Sequence, residues 1–214
     1  LIDYVPARTV WAIGGDGWAY DIGYGGLDHV LHSNENIKVL VLDTEVYSNT
    51  GGQASKSTKL GAVAEFANFG KKTAKKDLFK IASCIPNCYV ASISLGANMM
   101  QAIKAFNEAE AHNGPAIIIA YSPCIEHGIK RGMSLSCEEQ KLAVECGYTI
   151  LMRHDGETHI DSKEPNFDKY ETFLDNEVRF NALKIKDKDL ANKVLEEQKE
   201  NAIKRYKYYK KISE

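Results

Sequence analysis

The chain has no C-x-x-C pair, although it holds five cysteines: Cys84, Cys88, Cys124, Cys137 and Cys146. An odd, unpaired set excludes a closed disulfide framework and a self-sufficient zinc site, and fits thiols kept reduced, as in a cytoplasmic compartment. Long apolar runs are missing too. The longest clean one, Ala116–Tyr121, falls far short of the ~18–20 residues a membrane-spanning helix needs, so no membrane role is expected. Charge of one sign is lacking, since 27 Lys and Arg face 29 Asp and Glu. That balance gives no whole-chain attraction to nucleic acid or an anionic membrane. There is no basic-then-apolar signal stretch, no internal repeat and no low-complexity tract. The first residue is Leu1 rather than methionine, and the chain is expected to be a piece of a longer protein.

What is present is an alternation of strand-like and helix-like segments. Strands are expected at Thr9–Ile13, Ile37–Leu42, Tyr89–Ile93 and Ala116–Tyr121, with a fifth at Tyr148–Met152. Helices are expected from Gly23 to His32, before Ala82, around Met99–Phe106, and from Ser136 to Gly147, where Ser136 and Glu139 have capping-box spacing. The pattern predicts an α/β fold with a doubly wound, mostly parallel sheet covered on both faces. Residues 1–152 are expected to form that domain. Residues 153–214 hold 28 of the 56 charged side chains and few apolar ones, and read as a C-terminal polar arm, helical from Asp189 to Ile212. In open parallel sheets ligands bind beyond the carboxyl ends of the strands, so the loops after Ile13, Leu42 and Tyr121 are the places for chemistry.

The first of these loops is Gly14-Gly15-Asp16-Gly17. Glycines let main-chain N–H groups approach an anion, but an Asp there repels bare phosphate. It becomes favourable when a divalent cation bridges carboxylate and phosphate. The ordinary alternative is a tight turn in which Asp16 caps the next helix. The second loop, Asp43 to Gln53, places Thr44 28 residues after Asp16, an interval of one helix and one strand. The two loops therefore return to the same end of neighbouring strands.

Gly15-Asp16-Gly17 with a polar ligand at this interval resembles the thiamine-diphosphate motif of 2-oxoacid decarboxylases and transketolase-like enzymes. The longer strings at residues 14–29 and 42–53, with Ser122-Pro-Cys124 to Gly128, are similar to the C-terminal part of pyruvate:ferredoxin (flavodoxin) oxidoreductases. Thr44 stands where many thiamine enzymes place Asn, as in the ferredoxin-reducing branch. The resemblance implies that the Asp16 and Thr44 side chains and the Val46 carbonyl bind Mg²⁺. It implies that Gly15, Gly17, Trp18 and the stretch Thr44, Glu45, Val46, Tyr47, Ser48 and Asn49 hold the diphosphate, with Asn49 reaching toward substrate in a catalytic, electrostatic role. Cys124 would be the fourth thiolate of a [4Fe–4S] cluster whose other ligands lie upstream. The implied reaction is CoA-dependent oxidative decarboxylation of pyruvate, in a homodimeric full-length protein, with electrons passing to ferredoxin or flavodoxin.

Two other readings stand beside it: another thiamine-dependent 2-oxoacid oxidoreductase or decarboxylase, or an inert cofactor-binding or assembly segment. The remaining cysteines are expected to be packing residues and His127 a loop hydrogen-bonder. The Lys71, Lys72, Lys75 and Lys76 cluster is expected to be a solvated face.

Overall fold

In the computed structural model, which describes residues 9–214, the central feature is a six-stranded sheet. Its strands are β1 (Val10–Gly15), β2 (Ile37–Asp43), β3 (Tyr89–Ile93), β4 (Ala116–Tyr121), β5 (Met152–His154) and β6 (Thr158–Ile160). The order is β1-β2-β4-β3-β5-β6. The first four are mutually parallel, whereas β5 runs antiparallel to β3 and β6 antiparallel to β5. This is the α/β, mostly parallel sheet expected from the alternating pattern. β4 is buried at every position, which is why it reads as an unbroken apolar run.

Alternate residues of β4 face opposite layers. Ala116, Ile118 and Ala120 join Tyr89, Ala91 and Ile93 beneath α3 (Met99–Ala111), whose Ala102, Ala105 and Ala109 allow close approach. Ile117 and Ile119 join Val39, Val41 and Val90 on the other face. That face is covered by α1 (Tyr24–His32), by α2 (Leu78–Ser83) and by Tyr206 and Tyr209 of α7 (Lys188–Ile212). A second cluster gathers Tyr121, Tyr148, Tyr170, Phe173 and Phe180 among α4 (Ser136–Glu145), α5 (Tyr170–Asp175), α6 (Val178–Lys186) and α7.

Several local expectations differ from what is observed. The division at Met152 falls inside β5, and the segment beyond it adds two strands and packs buried aromatics into both clusters. The stretch before Ala82 is an irregular loop up to the short α2, because its Gly51, Gly52, Gly61 and Gly70 all adopt positive φ. Strand β5 starts at Met152 rather than Tyr148, which lies buried in the preceding turn. Ser136 makes no capping hydrogen bond: a 3₁₀ turn at Met133–Leu135 precedes it, so it already lies inside the helix. Among the cysteines, Cys88 and Cys146 are buried, but Cys84 and Cys137 are exposed. Among the described residues no helix is long and apolar enough to cross a membrane.

Candidate functional site

Because β1, β2 and β4 are parallel neighbours, the three loops singled out in the sequence meet beyond the carboxyl ends of these strands. The first loop turns directly into a π-helical segment, Gly17–Ile22, in which the Gly23 N–H donates to the Trp18 carbonyl (2.9 Å). Such wide turns recur at functional sites. Trp18 is clamped between glycines, since a β-carbon at Gly14 or Gly23 would lie 2.5 or 2.1 Å from its ring. Gly15, by contrast, is exposed, and a β-carbon there would meet nothing within 4 Å. Its main chain is open to a ligand. Asp16 does not cap the helix that follows.

Asp16 instead turns inward to the second loop. Thr44 Oγ1 donates to Asp16 Oδ1 (2.9 Å) and lies 3.0 Å from the Val46 carbonyl oxygen and 3.4 Å from Ser48 Oγ. Ser55 Oγ donates to Asp16 Oδ2 (2.5 Å). Burial, with the negative charge of Asp43 nearby, pushes the Asp16 carboxyl up to about 6, against the opposing hydrogen bonds from Ser55 and Thr44. A buried carboxylate beside another one is an environment that a cation relieves.

The donor set fits a hard divalent ion. Adjacent oxygens around Mg²⁺ at ~2.0–2.1 Å stand ~2.9 Å apart in an octahedron. The Asp16–Thr44 and Thr44–Val46 separations are 2.9 and 3.0 Å. The set rests on a hydroxyl and a main-chain carbonyl. Among the described residues no group of three or more His, Cys, Asp or Glu side chains is placed to hold a metal ion. A four-thiolate cluster therefore does not fit this segment by itself. Cys124 is half-buried and its thiol is pushed up by burial.

The geometry of the second loop is held from behind by charges the sequence did not reveal. Glu45 has φ of 59°, a left-handed conformation unusual for a side chain with a β-carbon. Its carboxylate turns away from the open side and accepts from Lys75 Nζ (2.9 Å) and Tyr148 Oη (2.5 Å), while pairing with Arg179 (2.9 Å). Burial opposes ionisation there, yet Lys75 and Arg179 hold the carboxyl well below the usual range. Asp43, at the end of β2, accepts from Tyr20 Oη (2.9 Å), Lys75 Nζ (2.5 Å) and Ser57 Oγ. Lys75 is thus an internal counter-charge and not part of a solvated face. Lys76 lies over the Tyr24 ring and Lys71 donates to the Ser55 carbonyl; only Lys72 of the four is exposed.

The third loop closes the arrangement. The Ser122 N–H donates to the Asp43 carbonyl (3.0 Å), and His127 Nε2 donates to the Thr44 carbonyl (2.8 Å). Burial pushes His127 down to about 3, so the ring is neutral and serves as a fixed donor, the loop role expected of it. Of the residues implicated by the sequence, Asp16, Thr44, Val46 and Ser48 converge. Tyr47 covers Gly17, Asn49 lies exposed at the rim, and Cys124 sits in the adjoining loop. Ser55, Ser57, Lys75, Tyr148 and Arg179 were missed. The run Ser55-Lys-Ser-Thr58, polar yet fully ordered around the site, was the available signal.

Comparison with known proteins agrees with this geometry. Residues 2–120 match the family model described as thiamine pyrophosphate enzyme, C-terminal TPP binding domain. The chain is 49% identical to pyruvate:ferredoxin oxidoreductase of Moorella thermoacetica, over 99% of this chain and 18% of that protein. It is 48% identical to a pyruvate-flavodoxin oxidoreductase of Klebsiella pneumoniae, over 99% of this chain and 19% of that one. It is 45% identical to the mitochondrial pyruvate dehydrogenase [NADP(+)] of Euglena gracilis, over 99% of this chain and 12% of that one. The chain therefore spans less than a fifth of the length of these curated relatives. Among solved structures, 2-oxoglutarate:ferredoxin oxidoreductase from Magnetococcus marinus, with 2-oxoglutarate, coenzyme A and succinyl-CoA bound, superposes with a TM-score of 0.50 at 24% identity. That match covers 53% of this chain and 40% of the other and bears on the fold alone.

Proposed function

Since the chain belongs to the thiamine pyrophosphate enzymes, in their C-terminal TPP-binding domain, we propose that it is the cofactor-binding portion of a longer oxidoreductase of the pyruvate:ferredoxin or pyruvate:flavodoxin type. The observation that carries this reading is that Thr44 Oγ1 stands 2.9 Å from Asp16 Oδ1 and 3.0 Å from the Val46 carbonyl oxygen, so that the two loops bring three oxygens together. Likeness to the two bacterial oxidoreductases over 99% of this chain supports the substrate.

In this reading the Asp16 and Thr44 side chains and the Val46 carbonyl would hold Mg²⁺, which would offset the charge of a diphosphate. The open main chain at Gly15, the Gly17–Trp18 turn and the Thr44–Asn49 stretch surround that diphosphate. Glu45 contributes through its main chain, its carboxylate being engaged by Lys75 and Arg179. Bound thiamine diphosphate supplies the carbanion-stabilising centre that decarboxylation of a 2-oxo acid needs and that no side chain provides. Asn49, exposed at the rim, offers amide hydrogen bonds to a pyruvate carboxylate without changing charge. Cys124 supplies one thiolate of a [4Fe–4S] cluster, with the other three on the rest of the longer protein. CoA and a one-electron carrier are co-reactants of that whole protein, a homodimer in a reducing, cytoplasmic-type compartment. The relatives' names carry three different acceptors, ferredoxin, flavodoxin and NADP(+), over the same segment. The acceptor is accordingly selected outside this chain.

Calorimetric titration of thiamine diphosphate with Mg²⁺, repeated with chelator and with Asp16→Ala, tests the reading. Binding that needs the metal and is lost in the variant is the expected result, in this chain or in the full-length protein. Binding indifferent to both would overturn it.

A further inference from the structure

Between α7 and the segment of residues 59–80 runs a groove of about 370 Å³, with Lys80, Asn201 and Tyr208 at its wall and Lys59 and Arg205 within it. It adjoins an inner cavity of about 90 Å³, and Lys59, Lys75, Asp77 and Arg205 line both. Neither cavity is lined by Asp16, Thr44 or Val46, so this is not the proposed thiamine site.

The charges here are out of balance. Lys75 is neutralised by Asp43 and Glu45. The Asp77 carboxylate accepts from the Lys80 N–H and Tyr209 Oη (2.7 Å), neutral donors that leave one negative charge in the groove against Lys59, Lys80 and Arg205. Lys59, only 8% exposed, and Arg205 form no ion pair among the described residues. Both aim at one acceptor: Lys59 Nζ lies 3.0 Å and Arg205 Nη2 2.6 Å from the Tyr148 carbonyl oxygen. Arg205 Nε is buried with no hydrogen-bond partner among the described residues. Lys80, over the Tyr208 ring at 4.1 Å, adds a third cation at the wall. Burial, with the Arg205 charge beside it, holds the Lys59 ammonium well below its usual range, and Arg205 Nε lacks the acceptor that a buried donor needs. A multivalent oxyanion between them satisfies both, and an Arg fork matches phosphate oxygens geometrically.

We propose that this groove binds a phosphate group, free or as a phosphate ester, held by Lys59 and Arg205 with Lys80 assisting. Occupancy would tie α7 to the Gly147–Tyr148 turn, so the ligand would stabilise the packing of the C-terminal helix.

The test is thermal unfolding of the chain with inorganic phosphate against chloride at matched ionic strength, with saturating Mg²⁺–thiamine diphosphate throughout. Phosphate is expected to raise Tm by about 2–4 °C. The rise should fall by more than half in Arg205→Gln and, independently, in Lys80→Gln, whose exposed side chain makes loss of fold no obstacle. A larger shift with adenosine 5′-monophosphate than with inorganic phosphate would identify an ester as the ligand, and the reverse order the free ion. No rise in the wild type, or a rise that persists undiminished in Lys80→Gln, would overturn the proposal.

Discussion

The ring of Tyr47 lies directly against the bare α-carbon of Gly17: a β-carbon built there would come 2.3 Å from Tyr47 Cε1. Tyr47 follows Val46, whose carbonyl is one of the three converging oxygens. Gly17→Ala must therefore push the Tyr47 ring away and with it the loop that carries the Val46 carbonyl. Overpacking of this kind costs about 1–3 kcal/mol. The expected outcome is a loss of roughly tenfold or more in affinity for Mg²⁺–thiamine diphosphate by calorimetry, since 1.4 kcal/mol is a factor of about ten. Gly17→Ala/Tyr47→Ala should recover part of the lost stability in urea unfolding. Additive losses in the double variant would show that the two residues are not coupled.

Glu45 makes the opposite kind of demand on the same loop, holding it from within. Its carboxylate balances Lys75 and Arg179 while its backbone sits at φ 59°. Glu45→Gln takes one shared counter-charge from Lys75 and Arg179, which keep Asp43 and Glu177, and is expected to cost about 1–3 kcal/mol in denaturant unfolding. Glu45→Gly relieves the backbone but removes the same charge, so it should fare no better than Gln. Recovery to wild-type stability in the glycine variant would mean that the backbone conformation, not the ion network, limits the loop.

The fold and the converging oxygens were legible because their signals are local or follow a fixed interval. β4 is a continuous apolar run and β3 nearly one, broken only by Ser92, and Asp16 and Thr44 each follow a strand at the end of which the chain must turn. Lys75 was not legible. It reads as part of a basic run, and its partners Asp43 and Glu45 lie 32 and 30 residues away on another loop. Arg179 is more distant still and comes from a stretch whose charge density resembles a solvated arm. Glu139 had the right spacing for a capping box with Ser136, yet it is buried and accepts instead from Asn176, a partner on a separate helix end. Pairings that depend on tertiary placement leave no periodic trace in the chain.

The C-terminal helix supplies a direct measure of how far its polar composition misleads. Tyr209 is 1% exposed, packs edge-on against Phe79 with centroids 5.5 Å apart, and donates to Asp77 Oδ2 (2.7 Å). Tyr209→Ala is expected to cost about 3–5 kcal/mol, as for other large-to-small core changes. Tyr209→Phe keeps the ring and should cost about 1 kcal/mol for the hydrogen bond. Lys207→Ala, on the exposed side of the same helix, should stay within about 0.5 kcal/mol. Equal, small effects at all three positions in urea unfolding would show that the helix does not belong to the core.

Glu139 offers a pH test that leaves Asp16, Thr44 and Val46 untouched. It is 3% exposed, accepts one hydrogen bond from Asn176 Nδ2 (3.2 Å), and its Oε1 is buried with no partner among the described residues. Burial raises its carboxyl above the ordinary 4.5, with Asn176, Arg131 and Arg179 opposing only in part. The folded state thus holds this proton more tightly than the unfolded chain. Stability falls as pH rises from 4.5 through the higher folded value, and the penalty is then carried unchanged to neutral pH. Glu139→Gln removes the charge while retaining an acceptor for Asn176. It is expected to be more stable than the wild type by roughly 1 kcal/mol at about pH 7.5, with the gap closing near pH 4. Urea unfolding at the two pH values measures both, and a variant less stable than wild type at pH 7.5 by the same margin as at pH 4 would show that the ionised carboxylate is not the source of the strain.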